Sequence, residues 1–171
     1  MKKTILTNTL LATLLLSTSH ATLASDLIFQ VAVVKGATGT TDLTEGKVES
    51  GIKKLTASEK NQDFYANKMN LCVAYLQSDF AHSNKSESAC TEAISSLESV
   101  KRQSNKVRYL TALNYSNRGV ARYRKNQLDA ALTDFELAVK IDNNEITVSN
   151  LRKIKQLLPL EQVESATELS D

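Results

Sequence analysis

Residues 117–122 read Asn-Arg-Gly-Val-Ala-Arg, and residues 70–75 read Asn-Leu-Cys-Val-Ala-Tyr. Each stretch sits in the second half of an amphipathic segment, and each segment leads through a polar turn into another. Around the first copy, Leu110, Leu113, Val120 and Tyr123 recur at helical spacing, which predicts a helix over 107–124. Lys125-Asn126-Gln127 is the turn, and Ala131, Leu132, Phe135, Ala138 and Val139 form the apolar stripe of a partner helix over 128–141. Around the second copy, Phe64, Tyr65, Met69, Leu71, Cys72, Tyr75 and Leu76 mark one helix that Ser58 is placed to cap. Residues 78–85 form a turn, and Ala89, Cys90, Ala93, Ile94 and Leu97 mark a helix over 86–100. Lys101–Lys106 reads as a loop.

Outward from these pairs the chain simplifies. Val48, Gly51, Ile52 and Leu55 place a further helix before the first pair. Asp142-Asn143-Asn144 ends the 128–141 helix, because Asn tolerates the left-handed backbone that terminates helices. A last helix is expected over 146–158, stopped by Pro159, the single proline of the chain. Residues 159–171 are acidic and without strong periodicity, which predicts a disordered tail. Residues 27–34, Leu-Ile-Phe-Gln-Val-Ala-Val-Val, are apolar and β-branched. They read as one extended segment packed along the domain, within a 25–43 stretch of extended chain and loop.

The first 24 residues have the layout of a secretory signal. Lys2 and Lys3 precede an apolar run over 5–16, and small residues close the segment at Ala24, with Ala21 as the alternative cleavage point. The apolar run is shorter than the ~20 residues a spanning helix needs, so no membrane insertion is expected after cleavage. The reading implies a periplasmic protein, with secretion as the alternative. Without Lys2 and Lys3 the chain carries equal numbers of basic and acidic residues. A neutral domain gives no electrostatic case for nucleic acid.

Residues 112–145 resemble a tetratricopeptide repeat. Tyr115 stands where the family has a large aromatic, Gly119 where paired helices approach closest, and Ala131 is the matching small residue. Phe135 and Ala138 follow in register, while Arg122 replaces the usual Tyr and Asn143 the usual terminal Pro. Residues 65–98 are similar to a second, weaker copy, in which Cys72 stands at the position of Gly119. The separation from Asn70 to Asn117 exceeds the ~34-residue repeat length, which places an insertion near Val100. Residues 44–58 look like a lone second helix, with Gly46 at the turn and Gly51 at the close-packing site. The resemblance implies an all-α fold over 44–158: antiparallel helix-pair repeats, roughly two and a half of them, with 146–158 as a capping helix. An unrelated bundle of amphipathic helices is the alternative.

Cys72 and Cys90 are equidistant from the predicted turn at Ala81, so the thiols of an antiparallel pair should meet. An exported chain then forms a disulfide; two free buried thiols are the alternative. No nucleophile–base set, metal cluster or phosphate loop stands out, and His82 lies in a turn, so no enzyme activity, metal or cofactor is expected. By resemblance, the first helix of each repeat lines a peptide-binding groove. Asn70 and Val73 would face it from one repeat, and Asn117, Val120, Tyr123 and Arg124 from the other, with Ala66, Met69, Leu76, Gln77, Leu113 and Ser116 beside them. An Asn amide carries a donor and an acceptor and so matches an extended backbone, though either amide could equally bond a neighbouring helix. The expected function is a protein–protein interaction scaffold with a protein or peptide partner. The alternative is an envelope component that self-associates into a homo-oligomer through an edge of the stack.

Overall fold

The computed structural model describes residues 29–58, 64–78, 83–100 and 104–168. The secretory signal read in residues 1–24 and the turn residue His82 lie outside them. Among the described residues every regular element is an α-helix: α1 (Thr40–Thr44), α2 (Val48–Ala57), α3 (Phe64–Gln77), α4 (Ser83–Glu98), α5 (Asn105–Arg124), α6 (Leu128–Ile141) and α7 (Glu145–Glu168). Each helix packs on the next, from α1 to α6 in α1–α2, α2–α3, α3–α4, α4–α5 and α5–α6 pairs, and α6 packs on α7. The alternate helices α3, α5 and α7 also touch in sequence, which makes them one layer. The all-α expectation holds.

Several boundaries moved for local reasons. Ser58 ends α2 rather than capping α3: its N–H and its hydroxyl both donate to the Leu55 carbonyl. Helix α5 starts before Val107 because Ser104, on extended backbone, accepts from the Val107 N–H at 3.2 Å. Helix α6 ends where Asp142 turns extended (φ −155°, ψ 114°), not on a left-handed Asn. Asn144 instead starts α7, its Oδ1 accepting from the N–H groups of Ile146 and Thr147 at 3.1 and 3.2 Å. The left-handed asparagine is Asn126, at φ 58° in the α5–α6 turn. Helix α7 continues through Pro159 to Glu168, where the sequence predicted a stop. Proline removes one i→i−4 bond, and the Leu, Glu, Gln and Ala that follow it are good helix formers.

Close helix contact depends on two glycines. A Cβ at Gly119 would lie 2.9 Å from the Phe135 ring, and a Cβ at Gly51 would lie 2.8 Å from Leu43 Cδ2. Phe135, Ala131 and Ala138 are all fully buried on the α6 face that meets α5. In the α3–α4 pair the corresponding tie is covalent. Cys72 and Cys90 form a disulfide, with Sγ atoms 2.10 Å and Cα atoms 4.6 Å apart. Replacing both by serine should cost about 3 kcal/mol, the loop-closure value for this length of enclosed chain, read as a lower urea midpoint. An unchanged midpoint would show that packing alone holds α3 on α4.

Polar ties hold α4, α5 and α6 together. Arg118 grips Asp134 with two bonds, of 2.9 and 2.8 Å, and lies over the Tyr115 ring at 5.1 Å. Arg122, the departure from the repeat pattern, reaches both Asp134 (3.0 Å) and Glu87 (3.1 Å). Lys125 bonds the other Glu87 oxygen at 2.7 Å. Lys125 and then Arg122 hold the Glu87 carboxyl below the usual carboxylate range against the opposing effect of burial.

Candidate functional site

Fully buried asparagines on the layer of α3, α5 and α7 include Asn70 on α3, Asn117 on α5 and Asn150 on α7. All three amides bind the chain's own segment 29–34. Asn150 Oδ1 accepts from the Gln30 N–H at 2.9 Å, and its Nδ2 donates to the Gln30 carbonyl at 2.7 Å. Asn117 does the same for Ala32, at 3.0 Å in both directions. Asn70 accepts from the Val34 N–H at 2.8 Å and donates to its carbonyl at 3.2 Å. Each amide therefore satisfies both main-chain groups of every second residue.

That period of two fixes the segment as an extended strap across three helices. Its side chains alternate between two walls. Phe29 and Val31 pack with Leu76, Val120 and Phe135, and Val33 packs with Leu43, Leu55 and Leu71. Ala32 and Val34 point the other way, toward Met69, Leu110 and Leu113. Phe29 anchors one end, stacked on Phe135 with centroids 5.1 Å apart and edge-on to Tyr123 at 4.8 Å. The other end is tied by Thr40, whose hydroxyl donates to the Val34 carbonyl at 2.7 Å, and by Asn70, whose Nδ2 also reaches the Thr38 carbonyl at 3.3 Å.

The residues expected to line a groove are thus brought together, but around a strap. Val73 is fully buried in the helical core. Val120, Tyr123 and Arg124, with Phe29, Val31, Leu76 and Gln77, line a cavity of about 200 Å³ beside the strap. Arg124 Nη1 donates to the Leu76 carbonyl and so links α5 to the end of α3. Asn117 bonds the strap rather than a neighbouring helix, while Asn70 bonds the strap and also donates to Thr40 Oγ1 at the start of α1, at 3.0 Å. Sequence reasoning missed Asn150, which also donates to Ser116 Oγ at 2.9 Å. Its signal was available: Asn150 follows Asn117 by nearly one repeat length.

One turn before Asn117, Asn114 is fully buried, and among the described residues neither polar atom of its amide has a hydrogen-bond partner. An unpaired buried amide costs about 1–3 kcal/mol. Asn114→Leu, of similar shape, should therefore raise stability by about 1–2 kcal/mol, seen as a higher urea midpoint. A loss of similar size would show that the amide is paired in solution.

Among the described residues no three His, Cys, Asp or Glu side chains converge to hold a metal ion, and no helix is long and apolar enough to cross a membrane. No family model, curated protein or solved structure matches the chain.

Proposed function

We propose that this chain is a tetratricopeptide-like interaction module that works in the periplasm and binds an extended peptide segment of a partner along the α3, α5, α7 layer. The observation that carries the reading is the asparagine ladder, which engages N–H and C=O of residues 30, 32 and 34 alike. The ladder recognises extended backbone rather than side chains and is filled by the chain's own strap, so a partner segment binds this layer either by displacing the strap or by lying extended against it. The repeat reading draws support from Gly119 against Phe135 and from the succession of packed helix pairs. The extracytoplasmic reading draws support from the disulfide, which persists in oxidising compartments.

The test is position-dependent cross-linking in intact cells. A photoreactive phenylalanine analogue replaces Gln30, exposed on the strap, Gln77, exposed beside it, or Glu136, exposed on α6. Partner adducts are expected from Gln30 and Gln77 and not from Glu136. Adducts from Glu136 alone would overturn the reading. Adducts between two copies of the chain would instead favour the self-associating envelope component, a reading supported by the absence of any charged residue from Leu27 to Val34.

A further inference from the structure

The strap has two edges, and the asparagines occupy only one. In extended chain, consecutive residues direct their N–H and C=O to opposite sides. Residues 30, 32 and 34 direct theirs into the ladder, so Val31 and Val33 direct theirs away from it. Val31 and Val33 are half-buried, and among the described residues no hydrogen bond engages their main-chain groups. Among the described residues, the strap thus presents an unpaired extended edge mounted on a body of helices.

Edge strands are normally blunted by a lysine, a proline or an inward charge. Residues 29–34, Phe-Gln-Val-Ala-Val-Val, contain none of these. We infer that the outer edge of the strap is the docking line, and that the partner adds an extended aliphatic peptide segment to it as a second β-strand. This rests on the peptide-binding reading above and places the ligand beside the strap rather than in its place. The main-chain groups of Val31 and Val33 supply two donors and two acceptors in the register a new strand requires. The 200 Å³ cavity between Val31, Leu76, Val120 and Tyr123, which Gln77 and Arg124 also line, receives one aliphatic side chain of the incoming strand. A second copy of this chain is a poorer occupant. Its own strap is tied by three asparagines and packed on both faces, so it does not leave its layer to serve as the incoming strand.

The experiment is hydrogen exchange at single amides of the mature protein, with and without an acetylated Lys-Thr-Val-Thr-Val-Thr-Lys amide peptide. In the free protein the Ala32 and Val34 amides should be protected and those of Val31 and Val33 open. Saturating peptide should slow exchange at Val31 and Val33 by about tenfold or more, as expected for two new ladder bonds, and leave Ala32 and Val34 unchanged. Val33→Pro removes an outward N–H and should weaken the peptide about tenfold, whereas Val33→Thr, which keeps it, should not. Protection of Ala32 and Val34 in the proline variant shows that the strap is still seated. If peptide instead exposes Ala32 and Val34, it displaces the strap: peptide binding stands and edge addition fails. Protection of Val31 and Val33 that rises with protein concentration, without peptide, would assign the edge to a second copy. No binding at millimolar peptide would overturn the peptide-binding reading itself.

Discussion

Asp134→Ala is expected to destabilise the domain by about 3–5 kcal/mol, the usual cost of removing one partner from a buried ion pair. Asp134 is 1% exposed and is the meeting point of Arg118 and Arg122. Without its carboxylate, two guanidinium groups remain between α4, α5 and α6, and Glu87 is left to neutralise Arg122 and Lys125 alone. A loss of this size is a large share of the ~5–15 kcal/mol by which domains are stable. Urea denaturation checks it. Asp134→Leu combined with Arg118→Met should recover part of the loss, because an apolar pair no longer strands a charge. If Asp134→Ala alone costs under about 1 kcal/mol, the network behaves like a solvated surface cluster.

Arg122 also shows where sequence reading stops. It was visible as a departure from the aromatic residue of the repeat pattern. Its partners Glu87 and Asp134 belong to two other helices, and no local pattern joins those positions. The helix pairs themselves were legible, because apolar residues at spacings of three and four report a buried face without reference to distant partners. Gly119 and Phe135 were legible for the same reason: a small residue facing a large one in repeat register leaves few alternatives. Ends of helices were less so. They depend on whether Ser58, Ser104 or Asn144 finds a main-chain partner, which a residue type permits but does not decide. The site was half legible. Asn70 and Asn117 stood out by equivalence between copies, while Asn150 sat in a segment read as a cap. What those amides bind could not be read at all. Their partners in the strap are 36, 85 and 120 residues away in sequence, and an apolar segment carries no mark of the three side chains that will hold it.

Asn117→Ala is the second large effect, and it separates a seated strap from a loose one. Asn117 is fully buried, and both of its bonds to Ala32 are buried as well. Its loss leaves an N–H and a carbonyl without partners, each at about 1–3 kcal/mol, or about 4 kcal/mol together. The chain has two ways to respond. It can keep the strap in place and accept that full cost, or detach residues 29–34 and return their main chain to water. Detachment strips Phe29 from Phe135 and Tyr123 and uncovers the apolar walls on both sides. The global loss is therefore capped by whichever of the two costs less. Exchange tells them apart. With the strap in place, the Gln30 and Val34 amides stay protected beside Asn150 and Asn70 while the urea midpoint falls. With the strap detached, all three amides open together, the midpoint falls less, and the half-buried Tyr123 becomes more accessible. The second pattern is the expected one, since Ala32 is the central rung and its release leaves only one asparagine on each side. Asn70→Ala, at the end of the ladder where Thr40 still holds the Val34 carbonyl, should open the Val34 amide and leave Gln30 and Ala32 closed. Equal opening in both variants would mean that the strap docks as a single unit, with no individual rung deciding its hold.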